Sequence, residues 1–185
     1  MPTTALLLMD LQTNIIDRFP GDAGYLDRIN GAADAARSAG ITVLWIKVGF
    51  REGMPEVSSR NKAFSALAGG GGFTESDPAF DLHPDLRRAD RDVVVVKKRV
   101  SAFTGSDLEV LLRAAEVESL VLAGIATSGV VLSTLRQAAD LDYRLTVLAD
   151  GCLDADDEVH RVLTDKVFPR QAEVTTVGEW TAALR

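Results

Sequence analysis

Ser119-Leu-Val-Leu-Ala-Gly124-Ile-Ala-Thr-Ser-Gly129-Val-Val-Leu-Ser-Thr134 is the stretch on which the reading of this chain turns. Leu120 to Ala123 is a short apolar run of the kind that forms a parallel strand buried on both faces. Gly124 ends that run, and Thr127 or Ser128 can cap a helix whose body is Val130 to Asp140. An open α/β sheet places its ligand at such a strand–turn–helix junction, beyond the carboxyl end of a central strand.

Working outward, the same alternation repeats. Ala5–Met9, Ile41–Ile46, Asp92–Val96, Arg144–Leu148 and Glu173–Val177 read as further strands. Helical patterns cover Tyr25–Ala39, with Gly40 at the C-cap position, and Asp107–Ala115. Another carries Val159, Val162 and Val167, and a last one covers Glu179–Leu184. This order predicts one domain over residues 1–185 with a three-layer α/β/α, Rossmann-like architecture: a mostly parallel sheet of six strands with helices on both faces. No Gly-x-Gly-x-x-Gly follows the first strand, so no dinucleotide cofactor is expected. Residues 49–84 lack a clear period and are punctuated by glycine and proline, which suggests a lid or binding loop. The run Gly69–Gly72 lacks the following Lys-Ser/Thr of a phosphate loop.

Composition narrows the function classes. A chain of 185 residues that is 46% hydrophobic can bury a sizeable core. Its net charge of -7 argues against a nucleic-acid partner. No apolar run approaches the roughly 18 residues of a membrane span. Met1–Met9 has no charged n-region and reads as a first strand instead of a secretory signal. The one cysteine, Cys152, excludes an internal disulfide and points to the cytoplasm. Two histidines, His83 and His160, leave little to build a metal site from, and neither metal nor cofactor is expected.

Three strands deliver polar groups to one sheet edge: Asp10, Lys97 and the Thr127-Ser128 turn. In a parallel sheet all carboxyl ends point the same way, so residues distant in sequence can converge there. An aspartate beside a lysine favours the charged pair unless burial opposes it, and such a pair can move a proton or activate a nucleophile.

Leu-Leu-Leu-Met-Asp10-Leu-Gln12, Val-Val-Lys97-Lys-Arg-Val-Ser-Ala-Phe103 and Gly124-Ile-Ala-Thr-Ser-Gly-Val130-Val-Leu-Ser-Thr134 resemble, in order and spacing, the signature blocks of the isochorismatase-like hydrolases. That superfamily also holds nicotinamidases and other cysteine amidohydrolases. The resemblance implies Asp10 as catalytic acid/base with Lys97 as its partner. It implies a cis peptide between Ile125 and Ala126, and an oxyanion hole from the Ala126 and Val130 amides in the turn Ile125-Ala126-Thr127-Ser128-Gly129-Val130. Arg51, Arg60, Asn61 and Arg99 are candidate anchors for an anionic substrate, and Phe103 a candidate substrate contact. A small-molecule substrate and a homo-oligomer, dimer or tetramer, are implied as partners.

One departure bears on mechanism. The cysteine branch reads Gly-x-x-Thr-x-x-Cys, and six residues after Gly124 stands Val130, which has no nucleophilic atom. Cys152 falls where the family keeps small structural residues, and Ser128 lies two residues early for a substitute nucleophile. The Asp-x-His metal ligands of nicotinamidases are replaced by Lys47-Val-Gly-Phe-Arg51. True isochorismatases work without the cysteine, but carry Ala-His where this chain has Thr127-Ser128. The expectation is a hydrolase acting through Asp10 and Lys97 without a cysteine nucleophile. The alternative is a binding or scaffold protein that retains the fold.

Overall fold

The computed structural model describes residues 3–19, 22–70 and 73–184. Gly71 and Gly72, part of the glycine run noted above, lie outside the described residues. Strands β1 (Thr4–Met9), β2 (Thr42–Val48), β3 (Val93–Lys97), β4 (Ser119–Ile125), β5 (Arg144–Leu153) and β6 (Glu173–Thr175) form one sheet, all parallel, in the order β3-β2-β1-β4-β5-β6. The chain winds from β1 out to β3, then returns across β1 to build β4–β6. The order therefore reverses beside β1 and β4, the position where open α/β sheets leave a crevice.

Helices α1 (Thr13–Ile16), α2 (Tyr25–Ser38), α3 (Lys62–Gly70), α4 (Leu108–Ala114), α5 (Leu132–Asp140), α6 (Asp157–Val162) and α7 (Val177–Ala183) occupy the connections. Side-chain alternation splits the core in two. Leu7, Met9, Leu44, Ile46 and Val95 face the layer holding Leu108, Leu112, Leu135 and Ala138 of α4 and α5. Leu6, Leu8, Val43, Trp45 and Val121 face Ile29, Ala33 and Ala36 of α2 and Val177 of α7. Because both faces are covered, the central strands read as unbroken apolar runs.

Several boundaries differ from those read in the sequence. β4 continues through Gly124 to Ile125, and β5 runs on to Leu153, with a register shift between Leu122 and Gly124. Gly124 belongs there for a steric reason: at φ +145° a Cβ would stand 2.2 Å from the Met9 carbonyl oxygen. β6 stops at Thr175 because Thr176 caps α7 in a reciprocal capping box with Glu179.

The segment 49–84 is not a bare loop. It contains α3 and a satellite core of Phe50, Phe64 and Phe73 packed with Val48 at the end of β2, with Phe50 and Phe64 meeting edge-on at 5.6 Å. The buried Gln12 fastens it to the sheet. Its Nε2 donates to the carbonyls of Val48 (2.9 Å) and Phe80 (2.8 Å), and its Oε1 accepts from the Val48 amide (2.9 Å). No helix among the described residues is long and apolar enough to cross a membrane.

Candidate active site

β1, β3 and β4 each end in one component of a polar cluster. Asp10 follows β1 directly, and its amide donates to the Ile46 carbonyl at 2.8 Å. By strand alternation residue 10 would share the α2-side face of Leu6 and Leu8. Its φ of 57° breaks the alternation, a conformation that aspartate tolerates better than most residues, and the carboxylate meets a lysine from the other face. That lysine is Lys97, on the same face as Val95. It reaches past β2, a span of two strand spacings or roughly 9–10 Å, which needs a long unbranched side chain.

Lys97 Nζ lies 2.9 Å from Asp10 Oδ2, with both side chains under a tenth exposed. The ammonium also donates to the carbonyls of Arg99 (2.9 Å) and Val100 (3.0 Å), so its three donors are all engaged. The other Asp10 oxygen, Oδ1, is buried and has no hydrogen-bond partner among the described residues. Burial raises the Asp10 pKa above its ordinary value, although Lys97 pulls in the opposite direction. Desolvation thus outweighs the lysine, which brings the carboxyl nearer to the range where it can both give and take a proton.

The loop that supplies the two carbonyls is held by α5. Thr134 Oγ1 accepts from the Ala102 amide at 3.0 Å, and Ser101 Oγ donates to Gln137 Oε1 at 2.7 Å. α5 follows directly from the β4 turn, so one helix positions both the lysine cage and the turn.

The Ile125–Ala126 peptide is cis, as the resemblance implies. Thr127–Val131 then forms a wide π-helical turn that departs from helical geometry at Gly129. Neither Thr127 nor Ser128 caps it with a side chain; Ala126 holds the N-cap position without a side-chain bond. Instead Thr127, fully buried, pairs through Oγ1 with His160 Nδ1 at 2.8 Å, and the Ser128 amide donates to Asp154 Oδ2 at 2.7 Å. Gly129 and Val131 both donate to the Ala126 carbonyl. The Ala126 amide has no protein partner among the described residues.

Val130 is 2% exposed and packs in the cluster that holds Met9, Val95 and Phe103. Cys152 lies opposite Gly124 in the β4–β5 ladder, and burial pushes its thiol up to about 12, so it stays protonated and inert at neutral pH. Ser128 is exposed.

The candidate anchors are dispersed. Arg51 is exposed and paired with Glu56 at 2.7 Å. Arg99 donates to the carbonyls of Lys98 and Glu56 and lies over the Phe64 ring. Asn61 Oδ1 accepts from the Phe64 amide and so caps α3, while Arg60 is exposed. Phe103 is buried against Tyr143 in the main core. Neither Asp10 nor Lys97 lines the surface cavities of 210–520 Å³ that lie elsewhere among the described residues.

Gln12, Asp154 and His160 were missed by sequence reasoning. Asp154 follows β5, so the strand-end argument that found Asp10 could have found it. His160 sits on α6 and carries no local signal.

The three blocks and the fold bear on ancestry together. The isochorismatase domain family matches residues 4–179. This chain belongs to the isochorismatase family. It is 32% identical to the uncharacterized isochorismatase family protein YecD of Escherichia coli O157:H7, covering 98% of this chain and 96% of that one. It is 30% identical to the ureidoacrylate amidohydrolase RutB of Caulobacter vibrioides, over 80% and 76% of the two chains. A relative from Arabidopsis thaliana described as a probable inactive nicotinamidase, At3g16190, is 27% identical over 98% and 96%. Among solved structures, a cysteine hydrolase from Pseudomonas syringae superposes with a TM-score of 0.90 at 21% identity, covering 98% of this chain and 92% of that one. That likeness establishes the six-stranded parallel α/β fold.

Proposed function

We propose that this protein hydrolyses a small organic substrate by acid–base chemistry at Asp10, assisted by Lys97, with water as nucleophile and no covalent intermediate at position 130. The observation that carries this reading is the division of labour within one carboxyl group. Asp10 Oδ2 is held by Lys97, while Oδ1 is buried and unpartnered, ready for a substrate atom. A raised pKa lets Asp10 donate its proton to the leaving heteroatom as the scissile bond breaks. The carboxylate so formed is neutralised by Lys97. Water supplies the hydroxyl for the new bond, and its remaining proton returns to Asp10. The Ala126 and Val130 amides can donate to oxygen that becomes negative during the reaction. A buried thiol pushed up to about 12 makes Cys152 unsuitable as a substitute nucleophile. Hydrolysis of a carbon–nitrogen bond by RutB, as its name states, makes amides one substrate class to test beside esters and vinyl ethers.

Val130 favours a second reading. An apolar, buried residue at the nucleophile position also suits a fold kept for binding or assembly. One relative, At3g16190, is itself described as a probable inactive nicotinamidase.

The two separate in one experiment. Purified protein is assayed on vinyl ethers, amides and esters beside Asp10→Asn and Val130→Cys. Turnover by the natural chain that falls about 10²–10⁴-fold in Asp10→Asn supports the acid–base hydrolase. Activity that appears only in Val130→Cys sinks it and leaves the binding reading.

A further inference from the structure

The sheet face opposite the Asp10–Lys97 pair bears a cavity of about 500 Å³ that plays no part in the chemistry above. Strand alternation puts Lys47 on the side of Val43 and Trp45, the α2 side, whereas Lys97 shares the side of Val95. Lys47, His83 and Arg88 line the cavity together with the carboxylate Asp81 and the apolar Leu82, Pro84, Leu86 and Val94. Three basic side chains against one carboxylate make this a local excess of basic groups in a chain of net charge -7.

Each basic group is available. Lys47 Nζ sits 4.0 Å from the centre of the Phe80 ring, which fixes its direction, and its 2.7 Å partner Asp81 is 74% exposed and can swing into water. Arg88 is exposed, and its guanidinium has no partner among the described residues. His83 Nδ1 accepts from the Asp85 amide at 3.2 Å, which leaves the proton of the neutral ring on Nε2 as a donor.

The wall is preformed. The Thr13 amide donates to the Asp81 carbonyl (3.1 Å), the His83 amide to the Leu11 carbonyl (3.0 Å), and Gln12 Nε2 to the Phe80 carbonyl (2.8 Å). These bonds tie residues 80–83 to the three residues that follow Asp10.

We propose that this cavity binds a small organic carboxylate. Lys47 and Arg88 take the carboxylate, with His83 as a further donor, and Leu82, Leu86 and Val94 cover an apolar body. The volume exceeds the need of an inorganic anion and lies in the range of small-molecule sites, roughly 300–1,000 Å³. The proposal does not depend on turnover at Asp10.

The test is calorimetric titration of the full-length chain with benzoate and with benzamide, its uncharged analogue. Saturable benzoate binding is expected, about tenfold tighter than benzamide. Arg88→Gln and Lys47→Met are each expected to weaken benzoate about five- to tenfold, and Asp10→Asn to leave it unchanged. Arg88 is exposed, so its variant does not endanger folding. Equal affinity for the two probes would overturn the proposal. So would the lack of saturable binding up to about 20 mM, or binding lost in Asp10→Asn but kept in Arg88→Gln.

Discussion

Two lysine–aspartate pairs, on opposite faces of one sheet, carry the same charges at nearly the same separation: 2.9 Å for Lys97–Asp10 and 2.7 Å for Lys47–Asp81. Their surroundings differ. The first pair is 2% and 9% exposed, the second 13% and 74%. Water reaches the second pair from the Asp81 side and can replace that carboxylate, so the pair contributes little to stability and its lysine can exchange Asp81 for a ligand. The first pair has lost its hydration and depends on a fixed geometry of carbonyls and carboxylate. Under the two proposals, the same chemistry serves proton transfer on one face and anion capture on the other, and burial makes the difference.

Breaking each pair measures that difference. Lys97→Ala strands a carboxylate in the core and is expected to cost about 3–5 kcal/mol in denaturant unfolding. Replacing both partners, as Asp10→Leu with Lys97→Met, removes the uncompensated charge. This double variant is expected to lie within about 2 kcal/mol of the natural protein while showing no turnover. A double variant as unstable as Lys97→Ala alone would refute the view that desolvation governs this pair.

A titration sharpens the comparison further. The folded-state pKa of Asp10 is raised, so the folded chain holds this proton more tightly than the unfolded one. The contribution of Asp10 is therefore fully present below the unfolded value of about 4, and is lost as pH rises through the raised folded value. The stability difference between natural protein and Asp10→Asn should shift against the natural protein across that window. A shift in the opposite sense would mean that Lys97 dominates. The smallest effect is expected at the exposed pair: Asp81→Asn should change stability by less than about 1 kcal/mol, and less still at high salt.

Much of this was legible in residue order. Apolar runs bounded by glycine and charge located six strands, because strands buried on both faces leave unbroken hydrophobic stretches. Asp10, Lys97 and the 125–130 turn could be grouped because parallel strands end together. Residues 49–84 were opaque for the opposite reason. Their order comes from Phe50 meeting Phe64 and Phe73 and from Gln12 binding Phe80, contacts between residues far apart that leave no local period. His160 was hidden likewise, since only the packing of α6 brings its ring to Thr127.

The sequence by itself determined the alternation of elements, the family and the lack of a nucleophile at Val130, because each is a matter of residue type and spacing. Tertiary structure alone decided which charges matter. Asp10 turns out of its strand's alternation to meet a lysine from two strands away, whereas the same fold leaves Asp81, the partner of Lys47, largely in water. Desolvation depends on everything packed around a group, and no local stretch of sequence encodes it.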